Sequence, residues 1–168
     1  TNSGPITINS GTIEFDNLME VRASTVVISA GATLKLNRGT HTFDAASSIT
    51  GAGNFEMSDD TTNIFCQYNI TGTTAITGAR ASFHIHISPP HLVLAGGVLR
   101  GVGNVIVDSQ FEWYGGLISG NGSFEITGNH IFGSGEKRLS ARQIDNFCNI
   151  TWTGSGDWEF INNSVFHN

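Results

Sequence analysis

A nine-residue pattern of apolar, polar and glycine positions recurs along the chain. It is clearest at residues 118–126, ISGNGSFEI, where two glycines separated by one residue precede an alternation of polar and apolar side chains. The pattern also occurs at residues 49–57, 99–107 and 152–160, more loosely at 28–36, and in a degenerate form from residue 76. The six copies begin 21, 27, 23, 19 and 34 residues apart. Repetition at roughly 20–30 residues is typical of a solenoid, whose repeats stack on their neighbours.

The alternation that ends each copy predicts a β-strand, because successive side chains of a strand face opposite sides. Phe124 and Ile126 would share a buried face, while Ser123 and Glu125 would point to solvent. The glycines permit a sharp corner or a close approach to the next coil. The pattern therefore predicts an all-β fold, a parallel β-helix of about seven coils with one copy of the pattern in each.

Equivalent positions of the copies are then expected to form interior columns. One predicted column contains Phe55, Val105, Phe124 and Trp158, and the next contains Met57, Val107, Ile126 and Phe160.

Two stretches depart from the repeat. Residues 133–142 are the most charged and least patterned part of the chain, and we predict an insertion loop or short helix there, mobile and expendable. Residues 69–94 are irregular as well. Within them we predict a strand over residues 83–87, FHIHI, ended by a corner or loop at Pro89 and Pro90 because proline cannot donate to a ladder.

The amino-acid composition excludes some classes of function. The 168 residues include 21 glycines and only 13% charged side chains, and the net charge is −6 with eight scattered basic residues. A nucleic-acid partner requires a basic face, so this class is excluded. No stretch approaches the roughly 20 apolar residues of a membrane span. The chain begins at Thr1 without an initiator methionine, so we expect residues 1–168 to be one β-helix domain of a longer or polymerising chain.

The two cysteines have matching contexts. Phe-Cys precedes Asn-Ile-Thr at both Cys66 and Cys148. If these positions are equivalent and about four coils apart, a coil spacing of roughly 4.8 Å places them about 19 Å apart, beyond the reach of a disulfide. Two free, buried thiols are therefore expected.

The repeats resemble those of right-handed parallel β-helices in large secreted surface proteins, including adhesins. The residues that carry the resemblance are the series GGVLxGxGNV at 96–105, GGLIxGxGSF at 115–124 and FINNS at 160–164. The resemblance implies a right-handed coil and a secreted, cell-surface location. The same repeats occur in adhesins, in enzymes that cut polysaccharides and in plain stalks, so the resemblance leaves the function open.

No catalytic site and no cofactor is predicted. Glu56, Glu125 and Glu159 occupy the same outward position of their copies, an arrangement more typical of a solvated face than of paired catalytic carboxylates. His84, His86 and His91 are weak metal-ligand candidates, because no fourth ligand is evident and histidine also serves in packing.

Some residues are candidates for glycosylation or for carbohydrate binding. Four Asn-x-Ser/Thr sequons are possible glycosylation sites: Asn69, Asn121, Asn149 and Asn162. The abundance of Asn, Ser and Thr makes this number close to chance. Trp113 and Tyr114 are candidates for stacking on a carbohydrate, with Tyr114 the more exposed. Trp152 and Trp158 are expected to point into the core.

Two functional classes remain. The first is a non-catalytic structural or adhesive segment of an extracellular surface protein or fibre. The second is a carbohydrate-active enzyme or a carbohydrate-binding module on the same fold, with a polysaccharide or cell-surface glycan as partner. Uncovered coils at the two ends would have unpaired backbone groups. We therefore expect the ends to pair with other copies of the chain or with flanking repeats.

Overall fold

The computed structural model describes residues 1–168 as a right-handed parallel β-helix of about eight coils, close to the seven predicted. Most coils contain three short strands. In chain order the strands are β1 (Ile6–Ile8), β2 (Thr12–Phe15), β3 (Met19–Val21), β4 (Thr25–Ile28), β5 (Thr33–Leu36), β6 (Thr40–Phe43), β7 (Ser48–Gly51), β8 (Asn54–Met57), β9 (Thr61–Ile64), β10 (Gln67–Ile70), β11 (Thr73–Ile76), β12 (Arg80–Phe83), β13 (His91–Leu94), β14 (Val98–Arg100), β15 (Val105–Val107), β16 (Gln110–Trp113), β17 (Gly116–Ser119), β18 (Phe124–Ile126), β19 (Asn129–Phe132), β20 (Lys137–Ser140), β21 (Gln143–Asn146), β22 (Ile150–Trp152), β23 (Trp158–Ile161) and β24 (Val165–His167).

The coils stack to give three faces of parallel strands. The first face has two four-stranded sheets, β1-β4-β7-β10 and β15-β18-β21-β24. The second face is one eight-stranded sheet that runs from β2 to β22, and the third is one eight-stranded sheet that runs from β3 to β23. The core fills the space between the faces, because alternate residues of every strand point inward. Phe124 is fully buried, so the predicted assignment of faces within the nine-residue pattern is confirmed.

The nine-residue pattern marks a tight corner, and it occurs at all three corners of the coil. The copies at 28–36 and 49–57 turn from the first face to the second, and those at 99–107 and 118–126 turn from the third to the first. The expectation that the copies occupy equivalent positions of their coils is therefore wrong. The reason is steric: a Cβ at Gly120 would lie 2.2 Å from the carbonyl oxygen of Gly101 in the coil below, and stacked tight corners impose such limits wherever they occur.

The predicted interior columns are correct only for copies of the pattern that lie at the same corner in neighbouring coils. Val105 pairs with Phe124 and Val107 with Ile126 in adjacent strands of the first face. Phe55 and Met57 lie instead on the second face, in β8, and Trp158 and Phe160 lie on the third face, in β23. The outward glutamates follow the same division, so Glu56, Glu125 and Glu159 lie on three different faces.

The predicted strand over residues 83–87 is wrong. Strand β12 ends at Phe83, and only Ile87 forms an isolated bridge, to Val105. This segment interrupts the first face, and strand β10 has no strand partner on the side of the interruption. The backbone resumes regular pairing after Pro90, whose carbonyl oxygen accepts the N–H of Gln110 in the next coil.

Residues 133–142 do not form an insertion. They contain β20, which pairs with β17 on one side and with β23 on the other, as a regular strand of the third face. Lys137 and Arg142 are buried, with side chains directed to backbone carbonyl oxygens. The charge of this stretch therefore lies partly inside the coil, which the prediction of a solvated loop did not anticipate.

Both cysteines are free, as predicted, but their positions are not equivalent. Cys66 precedes β10 at the corner between the third and first faces, whereas Cys148 follows β21 at the corner between the first and second. Cys66 is buried, and burial raises the pKa of its thiol to about 12. Cys148 is only partly buried, so the expectation of two buried thiols is wrong for this residue.

The interior of the third face contains one buried histidine. His41 has no exposed surface and is in register with Thr62, which is buried as well. His41 Nδ1 and Thr62 Oγ1 have no hydrogen-bond partner. Burial lowers the pKa of His41 from its ordinary value, because the interior disfavours the imidazolium.

This histidine is expected to make the protein less stable as pH falls through about 6.5, the pKa of an unperturbed histidine. The pKa of His41 is lower in the folded than in the unfolded protein, so the unfolded state binds more protons and the free energy of unfolding falls as pH falls. Thermal unfolding of a His41→Leu variant should show a weaker pH dependence than the parent. Equal slopes for the parent and His41→Leu would contradict the prediction.

Candidate functional site

The outward side chains of the second face meet across coils. Strands β11, β13, β16 and β19 lie in register there, with Thr73 beside His91, His91 beside Gln110, and Val93 beside Glu112. A strand pleat directs these side chains to solvent, and parallel stacking brings equivalent positions of neighbouring coils close together. Polar residues contributed by three coils therefore form one cluster.

Glu112 is the centre of this cluster. Its Oε1 lies 2.9 Å from His91 Nε2 and accepts a hydrogen bond of 2.6 Å from Gln110 Nε2. Its Oε2 accepts a hydrogen bond of 2.5 Å from the Tyr114 hydroxyl. His91 Nδ1 lies 3.1 Å from Thr73 Oγ1, which extends the network to a third coil. We call these five residues the Glu112 network.

The hydrogen bonds of the network also set its charge. The Tyr114 hydroxyl holds the pKa of Glu112 below its ordinary value, and His91 acts in the same direction. The bond to Glu112 raises the pKa of Tyr114. At neutral pH the network therefore contains one carboxylate whose oxygens already have donors, beside a neutral phenol.

The Tyr114 ring has a defined position on the surface. Tyr114 is 39% exposed, and a Cβ added at Gly133 would lie 2.3 Å from its Cδ1 atom, so the ring lies directly over this glycine. The hydroxyl is tethered to Glu112 at the other end. A flat exposed ring fixed beside a carboxylate and an amide is a surface on which a sugar can stack and form hydrogen bonds.

Trp113 does not belong to this surface. It is fully buried, and it is in register with Leu94 and Phe132 in the interior of the second face. The prediction that Trp113 stacks on a carbohydrate is therefore wrong, because strand alternation turns it inward where it turns Glu112 outward. The expectation that Tyr114 is exposed is confirmed.

The three histidines of the predicted weak metal site are not brought together. His84 stacks on Phe65 with ring centroids 4.1 Å apart, His86 is exposed, and His91 belongs to the Glu112 network. No group of three or more His, Cys, Asp and Glu side chains in the structure could hold a metal ion.

All four sequon asparagines are exposed. Asn162 differs from the others because its Nδ2 donates a hydrogen bond of 2.8 Å to Ser140 Oγ and its backbone φ is 54°. Exposure makes the sequons accessible without selecting among them.

Apolar side chains of the core are open to solvent at the ends of the stack. Trp152 is in register with buried Phe132, and Phe160 with buried Leu139, yet Trp152 is 39% and Phe160 45% exposed. At the opposite end Ile13 is in register with buried Leu34 and is 37% exposed. Trp152 and Trp158 have the predicted inward direction, and both lie in the final coil of residues 1–168.

Two buried cations were missed by the sequence analysis. Lys137 Nζ donates to the carbonyl oxygens of Gly133 and Gly135, the latter at 2.7 Å, and lies 4.7 Å from the centroid of the Trp152 ring. Burial lowers the pKa of Lys137. A short glycine-containing turn with a lysine two residues after its second glycine was the available signal.

Arg142 connects the corners of successive coils. Its guanidinium donates to the carbonyl oxygens of Gly103, Ser119 and Ser123 at 2.8, 3.0 and 3.0 Å. It also lies 5.8 Å from the ring centroid of Phe124. Burial lowers the pKa of Arg142 to about 10, which leaves the side chain charged at neutral pH.

The comparisons with known proteins add no assignment. No protein-family model, no curated protein and no solved structure matches the chain. The fold contains no helix long and apolar enough to cross a bilayer.

Proposed function

We propose that the chain is a non-catalytic structural segment of an extracellular surface protein or fibre, in which its end coils stack on further coils. The observation that carries the proposal is the exposure of Trp152 and Phe160, which continue interior columns that are fully buried one coil earlier. Strands β22, β23 and β24 also have no strand on their outer side. Open strand edges pair readily with other strands.

The partner in this proposal is a second copy of the chain, whose first coil covers the last coil of its neighbour. The first coil offers the same kind of surface, with the free edges of β1 and β2 and the exposed inward side chain of Ile13. The outer edge of β3 is covered only at Asn2, which forms a bridge to Val21. A head-to-tail contact of this kind does not close on itself and therefore generates filaments.

The 168-residue chain, produced without glycosylation, is expected to form head-to-tail oligomers as its concentration rises. Sedimentation velocity should show growing species, and electron microscopy should show rods of increasing length. Phe160→Lys places a charge on the open end and should leave monomers, with the circular dichroism of the parent. Phe147→Lys is the matched control at an exposed corner and should still assemble.

The end-stacking proposal fails if the parent remains a monodisperse monomer at high concentration. It also fails if Phe147→Lys and Phe160→Lys reduce assembly equally, because the association would then not depend on the open end.

The Glu112 network favours a second function, carbohydrate binding. The observation in its favour is the fixed, exposed ring of Tyr114 beside carboxylate and amide groups. The best ligand from a glycan array should bind up to about tenfold more weakly to Tyr114→Ala than to the parent by calorimetry. Val102→Ala, at an exposed corner residue, should bind as the parent does. Array binding that is indifferent to Tyr114→Ala would place any carbohydrate site elsewhere.

A further inference from the structure

Phe147 is an isolated aromatic side chain on the surface. It is 68% exposed, more than any other large hydrophobic residue of the chain, and no aromatic ring packs against it. It follows β21 at the corner between the first and second faces, where its backbone N–H donates to the carbonyl oxygen of Ile126. The coil therefore holds the backbone at this corner while the ring projects into solvent.

A sequon begins two residues after this ring. Asn149 and Thr151 are both exposed, and the Asn149 side chain forms no hydrogen bond with the protein. Phe147 and Asn149 line the same surface depression, together with Asn129 and Cys148. An attachment at Asn149 Nδ2 would therefore start beside the Phe147 ring.

The other sequons lack this combination. The residue two positions before Asn69 is Gln67, and the residue two positions before Asn121 is Ser119. Asn162 does follow an aromatic residue, Phe160, but its Nδ2 is bonded to Ser140 Oγ. Phe160 also belongs to an interior column of the third face.

We propose that Asn149 carries an N-linked glycan whose first sugar packs on the ring of Phe147. In the transfer, Asn149 Nδ2 forms a bond to C1 of the first sugar of a lipid-linked oligosaccharide. The bond between C1 and the lipid diphosphate breaks, the lipid diphosphate leaves, and the amide nitrogen loses one proton. The proposal rests on the extracellular location in the proposed function, because this transfer takes place in the secretory pathway.

The glycan gives the exposed ring a partner. One face of a pyranose ring presents C–H groups, which pack on an aromatic face and remove apolar surface from water. The attachment also holds the sugar beside the ring, so the contact forms without the entropic cost of bringing two free molecules together. The glycosylated protein should therefore be more stable than the unmodified one.

The test uses the 168-residue chain secreted from cultured mammalian cells. Mass spectrometry of the peptides should show Asn149 occupied, and Asn149→Gln should lose that glycan. The parent should unfold about 2–4 °C above Asn149→Gln. An endoglycosidase that leaves only the first sugar should preserve this difference. In the Phe147→Ala background the same comparison should show no difference, although Asn149 remains occupied.

Two outcomes would overturn the inference. One is an unoccupied Asn149 in the secreted protein. The other is an equal stabilisation by the glycan with and without Phe147. Neither outcome bears on end stacking, which is measured on the unglycosylated chain, so failure of this inference and failure of the proposed function are distinguishable.

Discussion

Replacing residues 134–141 with a short Gly-Ser link is expected to unfold the last two coils. The change removes β20, so β17 and β23 each lose a parallel partner. It also removes Lys137, whose buried ammonium holds the carbonyl oxygens of Gly133 and Gly135. The combined loss should exceed about 4 kcal/mol in the free energy of unfolding, because a whole strand of the core is missing.

Limited proteolysis and thermal unfolding monitored by circular dichroism would measure this effect. The control keeps the backbone and changes only exposed side chains of the segment, as Glu136→Gln together with Arg138→Gln. Arg138 pairs with Glu159 at the surface, where both side chains are about half exposed, so the control should lose less than about 1 kcal/mol. A linked variant that melts like the parent would show the segment to be expendable after all.

Phe124→Ala should lower the free energy of unfolding by about 3–5 kcal/mol. The ring is fully buried between Val105 and Ile144 in register, and its centroid lies 5.1 Å from that of Phe111. Alanine would leave a cavity in the closed interior of the coil, and the guanidinium of Arg142 would lose the aromatic face beside it.

The matched control for this prediction is Phe147→Ala in unglycosylated protein. It deletes the same atoms from a ring that is 68% exposed, so it should change the free energy of unfolding by less than about 0.5 kcal/mol. Denaturant unfolding of the three proteins would compare the two deletions directly. Similar losses for Phe124→Ala and Phe147→Ala would contradict the assignment of Phe124 to the core.

The fold could be predicted because its strongest signals are local. The alternation around Phe124 assigned inward and outward faces correctly, and the glycine pairs marked real corners. The same pattern could not predict which of the three corners of the coil each copy occupies. Gly51 turns the chain from the first face to the second and Gly120 from the third to the first, yet both lie against a carbonyl oxygen of the coil below. The steric requirement is the same, so the sequence at the two corners is similar.

The burial of Lys137 and Arg142 could not be predicted from their charge. Charged residues are typical of a solvated loop, but the side-chain N–H groups of these two donate to backbone carbonyl oxygens inside the coil. Every residue has a backbone carbonyl group, so the sequence does not show which of them will accept these hydrogen bonds.

The Glu112 network could not be predicted for a related reason. His91, Glu112 and Tyr114 are brought together by the stacking register, which residue spacing alone did not define.

The interruption at residues 84–90 gives the stack a direction of easy flexure. Two of its sides are continuous ladders of eight strands, while the remaining side is divided at mid-length into two groups of four. Bending that widens the gap on the divided side breaks no strand pairing at β10. Bending that stretches either of the other two sides must break backbone hydrogen bonds between paired strands. The stack should therefore bend more easily toward or away from the first face than in other directions. In a filament of many copies, equally spaced interruptions on the same face would set the curvature of the whole fibre.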